Sequence, residues 1–286
     1  MIRTISDIIS SNYITINACD SIQKIQDLIL DSDCHYFLVV ENDKTVGVLT
    51  YKNLFKAHPN RIVADAMTSS ITYINSNTYI WKAKEIFDKS GEDVLLVRDD
   101  NRLLGMLIKN QLYKELGKHI DLLTGLYKSD YIYYKTLKLI KEGIAPVIIF
   151  IDLNNFGYIN KKYGHIKGDI VLKELSKILK DNIPKDTFFS RFAGDEFIVL
   201  TPYSIDQSIN LAKYLIKIVS SSPFIDNIDV TISVGVSVAK ENKLINDNII
   251  SLVYKMINAA SLASTKAKNN EENLIVANTD SIHESA

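Results

Sequence analysis

The chain has 286 residues, enough for two domains of ordinary size, and its 47% apolar and 23% charged residues describe a folded protein rather than a disordered one. A formal net charge of −1 excludes a broadly basic surface, so nucleic acid is not an expected partner. Cys19 and Cys34 are too few for a disulfide framework and stand in no Cys/His cluster; apolar runs such as Val147 to Ile151 fall short of the ~20 residues that span a bilayer, so a cytoplasmic protein without a membrane partner is expected.

The first 115 residues repeat themselves. Ser6 to Ser11 matches Ala64 to Ser69 at an offset of 58. The same offset lays Thr15-Ile16-Asn17 on Tyr73-Ile74-Asn75, Leu38-Val39 on Leu96-Val97, and Val46-Gly47-Val48-Leu49 on Leu104-Gly105-Met106-Leu107. Each copy reads as a short strand, a helix, two strands joined by a polar turn, and a second helix; the turns are Asn42-Asp43-Lys44 and Asp99-Asp100-Asn101. Ile22, Ile25, Leu28 and Ile29 form the apolar face of the first long helix, and Ile80, Ala83, Ile86 and Phe87 that of the second. A unit of this size covers its apolar face only with its twin, so repeats of about 1–58 and 59–115 are expected to pack as one pseudo-symmetric domain. Leu112, Leu116 and Ile120, at four-residue spacing, predict a connecting helix over Gln111 to Leu122 with Gly117 as a kink point.

Beyond it, Pro146 to Ile151 reads as a buried strand running into Asp152, a carboxylate placed either at a cleft or as a helix cap. Asn160 and Asp169 flank a glycine-rich turn ahead of an amphipathic helix that carries Ile170, Val171, Leu172, Leu175, Ile178 and Leu179. An amide and a carboxylate together complement the edge of guanine; His165 between them reads equally as a turn residue or a cap. Thr187 to Phe192 and Phe197 to Leu200 predict paired strands, with Ala193-Gly194-Asp195-Glu196 as the tight loop between them. Asp195 and Glu196 are then expected at an exposed tip, where Gly194 lets a ligand approach the backbone. That pattern suits a metal held against a phosphate, and also a plain solvated turn. A strand over Val230 to Ser237 and a helix reaching Lys266 complete the pattern.

Residues 1 to about 115 resemble a CBS-domain pair, on the Met67-Thr68 dipeptide and the recurring apolar-Gly-apolar strand. The remainder, 116–280, resembles the GGDEF family of diguanylate cyclases. The resemblance rests on Asp121-Leu122-Leu123-Thr124-Gly125-Leu126, on the spacings of eight and seventeen from Asp152 to Asn160 and Asp169, and on Arg191 with Ala193-Gly194-Asp195-Glu196-Phe197. It implies a combined α/β and α+β fold: two βαββα-type repeats joined by a short helix to a palm-like antiparallel sheet, with 281–286 as a tail. It further implies a homodimer that condenses two GTP into cyclic di-GMP and pyrophosphate. Magnesium or manganese would be held by Asp152, the Leu153 carbonyl and Asp195. Asn160, His165, Asp169, Gly194 and Lys266 would contact GTP, with Asp195 as the proton acceptor and Glu196 in support.

Departures from that pattern matter equally. Gly157 and Asn270 stand where the family carries phosphate-binding cations, with Lys161 and Lys162 as nearby substitutes. Pro184-Lys185-Asp186-Thr187 replaces the inhibitory Arg-x-x-Asp, so product feedback there is expected to be absent. A catalytically silent GTP-binding or partner-binding switch is the alternative these losses favour. CBS pairs bind adenosine nucleotides or S-adenosylmethionine, yet the ribose-binding Thr/Asp pair reads Thr50 and Asn53 in the first copy, and Ile108 and Gln111 in the second. A dimerising scaffold without ligand is the alternative there.

Overall fold

The computed structural model describes residues 3–30, 34–100, 102–238 and 248–277; Asn101 and the tail at 281–286 lie outside the described residues. It divides into a unit of Arg3–Gly117 and a second that runs on from Lys118.

In the first unit, the leading copy contains β1 (Ile14–Asn17), α1 (Ile22–Leu30), β2 (Tyr36–Glu41), β3 (Lys44–Thr50), α2 (Tyr51–Lys56) and the short α3 (Val63–Ala66). The second copy contains β4 (Tyr73–Asn75), α4 (Ile80–Ser90), β5 (Val94–Asp99), β6 (Arg102–Ile108) and α5 (Lys109–Gly117). β1 pairs parallel with β2, which pairs antiparallel with β3; β4, β5 and β6 repeat this arrangement. Even the register shift recurs, between Val39 and Val40 and between Val97 and Arg98. Ile22, Ile25, Phe37, Leu49 and Leu54 fill the core of the first copy. Leu28, expected on the same buried face, is instead exposed. Leu38 and Val48 join Leu96 and Met106 in one shared cluster, so the twin sheets do cover each other.

The glycine of each apolar-Gly-apolar strand has a specific job. A Cβ on Gly47 would lie 2.9 Å from the Thr68 carbonyl oxygen, and one on Gly105 would lie 2.6 Å from that of Ser10. Those carbonyls accept from Val48 and Met106, so each copy's entering segment is bonded to a strand that only a glycine lets come so near. The connecting helix is shorter than the leucine spacing predicts. α5 ends at Gly117, and Ile120 leaves the helical path to bridge Tyr127.

In the second unit, α6 (Ser129–Lys141) leads to β7 (Val147–Leu153), α7 (Phe156–Tyr163), α8 (His165–Asn182), β8 (Phe188–Ala193), β9 (Glu196–Thr201), α9 (Ile205–Ser221), β10 (Ile232–Val238), α10 (Ile249–Ala267) and β11 (Leu274–Ala277). The five strands form one sheet in the order β11-β10-β7-β9-β8. β7 is buried at every position, which its unbroken apolar run requires of a central strand. The sheet is antiparallel except at one edge, where β11 runs parallel to β10 after the chain crosses over through α10.

Candidate active site

Asp152 lies inside β7, opposite Glu196 on β9 and Ser233 on β10. The strand outlasts its apolar run because both neighbours pair with it as far as Asp152. A carboxylate in mid-sheet, only 7% exposed, is no helix cap; the residue capping α7 is Asn155, whose φ of 57° turns the chain out of β7.

The hairpin between β8 and β9 turns through Gly194, at φ 49°, in the left-handed region that suits glycine. Its tip is not free. The Leu153 N–H donates to the Asp195 carbonyl at 3.3 Å, drawing the turn against the end of β7. Asp195 and Glu196 are therefore half-buried rather than exposed. Burial pushes the Asp195 carboxyl above its usual range, and the Asp152 charge adds to this. Glu196 is raised by burial, then by Asp152 and Asp195. Both results describe one cluster of mutually repelling acids, the kind of place where pKa values shift at functional sites.

A guanidinium holds this hairpin from behind. Arg191 donates through Nε and Nη2 to the Gly194 carbonyl at 2.8 and 2.5 Å, and through Nη1 to Asp121 Oδ1 at 2.8 Å. Asp121 also accepts from the Thr124 N–H and hydroxyl at 2.9 and 2.7 Å. Burial raises the Asp121 carboxyl, but the Thr124 and Arg191 hydrogen bonds outweigh it and hold the group below its usual value. The Asp121-to-Leu126 segment thereby clamps the strand that carries the acidic turn.

A lysine faces the cluster, and sequence reasoning missed it. Lys268 Nζ, just past the end of α10, stands 2.9 Å from Asp152 Oδ1. The approach lies off the line of a hydrogen bond, so this buried oxygen has no hydrogen-bond donor among the described residues. Lys266 is exposed on the last turn of α10; side chains two positions apart point about 200° around the axis from one another.

No group of three or more His, Cys, Asp or Glu side chains among the described residues is arranged to hold a metal ion. The donors are nonetheless of the right kind for magnesium, which takes oxygen ligands and binds through one or two carboxylates plus substrate phosphates. A buried Asp152 oxygen without a hydrogen bond among the described residues, beside two carboxyls raised by burial and then by their acidic neighbours, fits a divalent cation.

The residues expected to read guanine gather on the α7–α8 turn. Gly164, at φ 85°, separates the helices, with exposed His165 opening α8 and exposed Asp169 one turn on. Asn160 Oδ1 is buried without a hydrogen bond among the described residues, and a Cβ on Gly168 would meet it at 1.9 Å. Gly168 thus leaves room for the amide. Lys162 stacks over the Tyr158 and Tyr163 rings, 5.6 and 4.8 Å from their centroids.

In the first unit a cavity of about 320 Å³ is lined by Thr50, Asn53, Thr68, Ser70, Glu92 and Asp93, among others. Thr50 caps α2 by accepting from the Asn53 N–H, and Asn53 donates to the Thr68 hydroxyl at 3.3 Å. Glu92 accepts from Ser70 and Thr72 through one oxygen.

Comparison with known proteins places these observations. The family profile described as "Diguanylate cyclase, GGDEF domain" matches residues 118–273, and the CBS domain profile matches 5–60 and 63–118. Over 158 residues the chain is 30% identical to the diguanylate cyclase DgcS of Shewanella oneidensis, covering 52% of this chain and 53% of that protein. Over 128 residues it is 36% identical to YhcK of Bacillus subtilis, covering 41% and 35%. The chain thus spans about half or less of these relatives' own length. The crystal structure of the coiled coil and GGDEF domain of DgcB from Caulobacter crescentus, in complex with c-di-GMP, shares the fold at 18% identity with a TM-score of 0.51, covering 59% of this chain and 91% of that one. With its profile matched over more than half its length, the chain belongs to the GGDEF diguanylate-cyclase family, and a tandem CBS pair precedes that domain.

Proposed function

We propose that the protein condenses two molecules of GTP into cyclic di-GMP across a dimer. The observation that carries this reading is the gathering of Asp152, Asp195 and Glu196 where β7, β9 and the hairpin meet, with two of the three carboxyls raised. Asp152, the Leu153 carbonyl and Asp195 would hold the divalent ion, which neutralises phosphate charge and aligns the displacement. Asn160 and Asp169 hold guanine by its polar edge, with His165 beside the nucleotide, while Lys266, expected toward the phosphates, points the other way round α10 from Lys268. Each 3′-hydroxyl then attacks the other nucleotide's α-phosphorus. A new P–O bond forms, the bond to the β-phosphate oxygen breaks, and pyrophosphate leaves. Asp195 would take the hydroxyl proton as general base. The dimer is required because each site holds one nucleotide.

The CBS pair would regulate this reaction. Glu92 and Asp93 in its cavity repel phosphates, so S-adenosylmethionine, with a sulfonium and an ammonium, suits the lining better than a nucleoside polyphosphate.

The test is GTP turnover by the purified protein with magnesium, beside an Asp195→Ala variant. Cyclic di-GMP is expected from the first alone; product from both, or from neither, defeats the reading. Gly157 and Asn270 favour a second one, a GTP-binding switch without turnover, and calorimetry showing nucleotide binding without conversion would select it.

A further inference from the structure

Asp152 Oδ1 has no hydrogen bond among the described residues, although a hydroxyl stands across the sheet from it. Ser233 is the register partner of Asp152 on β10 and is fully buried; residues directly opposite in an antiparallel pair carry their side chains on the same face. A hydroxyl so placed is a ready donor to a carboxylate. The Ser233 hydroxyl instead donates to Asn154 Oδ1 at 2.8 Å, with Asn273 Oδ1 as a second acceptor at 3.3 Å. A serine has one proton to donate, so these amides take what Asp152 would otherwise receive.

Both acceptors are fixed to β10 on either side of Ser233. Asn154 Nδ2 donates to Thr231 Oγ1 at 3.0 Å, and its backbone N–H to the Thr231 carbonyl at 2.9 Å, which turns Oδ1 toward Ser233. Asn273 stands in the left-handed region at φ 51° just before β11, and its carbonyl accepts from the Val234 N–H at 2.8 Å.

We propose that Asn154 is a positioning residue: by taking the Ser233 proton it keeps Asp152 free of a hydrogen bond, so that the carboxylate offers its lone pairs to a divalent ion. This rests on the reading of Asp152 as a metal ligand, but not on turnover. Without the Asn154 amide, the Ser233 hydroxyl rotates onto Asp152, because the neutral and more distant Asn273 oxygen does not hold the proton against a carboxylate. A metal ion must then displace that hydroxyl. The harm done by losing Asn154 therefore passes through Ser233, and removing the hydroxyl as well should undo it. An asparagine that only supports the fold predicts the reverse, since a second truncation adds to the damage.

The experiment titrates Mn²⁺ into the full chain and follows the free ion by electron paramagnetic resonance. It compares wild type with Asp152→Asn, Asn154→Ala, Ser233→Ala and the double variant Asn154→Ala/Ser233→Ala. Asp152→Asn is expected to abolish binding, which locates the ion. Asn154→Ala is expected to weaken binding about tenfold, the low end for a hydrogen bond to a charged group. Ser233→Ala and the double variant should both stay within about twofold of wild type. Melting temperatures check that each variant folds. Unchanged affinity in Asn154→Ala, or a double variant as weak as Asn154→Ala or weaker, would overturn the assignment even where GTP turnover persists. Binding absent from wild type, or surviving Asp152→Asn, would overturn it together with the metal site. The rescue, seen in a protein that makes no cyclic di-GMP, would uphold it and defeat only the cyclase reading.

Discussion

Asp121 and Arg191 are 70 positions apart, yet their side chains meet at 2.8 Å, and this contact decides how firmly the acidic turn is held. Arg191→Ala removes two bonds to the Gly194 carbonyl and leaves Asp121 with only Thr124. A loss of about 2 kcal/mol in urea unfolding is expected, the scale of a charge-assisted, largely buried contact. The pH dependence has a definite sign. Because Asp121 titrates below its ordinary value of 3.8 in the fold, its contribution is fully present above that pH and is lost as the pH falls through the lower folded value. The stability gap between wild type and Asp121→Asn should therefore hold steady at neutral pH and close on acidification below 3.8. This contact and the Lys268–Asp152 pair, 116 positions apart, were not legible in the sequence, where no local pattern marks partners that only the sheet brings together. The Gly194-Asp195 hairpin and the Asp152 strand were legible, because their signals are local: alternation, a glycine turn, and an apolar run ending in a carboxylate.

Elements show the same division. The repeat places Gly47 and Gly105 at equivalent points, and their reason appears only in three dimensions, as backbone carbonyls that a Cβ would strike. Gly47→Ala and Gly105→Ala should each cost about 1–3 kcal/mol, as overpacking does when the neighbour is main chain. Gly117→Ala is the contrast, since nothing lies within 4 Å of a Cβ there. It should be neutral or stabilising by about 0.5–1 kcal/mol, the usual gain of alanine over glycine in a helix. Thermal melts of the three variants test both statements. The helix expected to reach Leu122 failed to do so because four-residue spacing of leucines cannot signal that Ile120 has a strand-like partner in Tyr127. β11 was likewise invisible: four residues after a helix carry too little alternation to announce a parallel edge strand.

For the molecule as a whole, the question is what the first unit reports to the second. The acidic lining of the CBS cavity predicts that S-adenosylmethionine raises the melting temperature and ATP does not. At ligand concentrations a hundredfold above Kd the stabilisation is about 2.7 kcal/mol, a shift of several degrees for a domain of this size. No shift with either ligand would favour a scaffold that dimerises without one. Among the described residues no helix is long and apolar enough to cross a membrane.

The strand irregularity at Val39/Val40 has its twin at Val97/Arg98, so the backbone repeats even where the side chains do not. A slip in strand register is a backbone property that many side chains tolerate, whereas the threonine of Thr50 has an isoleucine counterpart in Ile108. The second copy nonetheless supplies Ser70, Glu92 and Asp93 to the cavity that Thr50 and Asn53 line from the first, so a ligand seated there would read both halves at once.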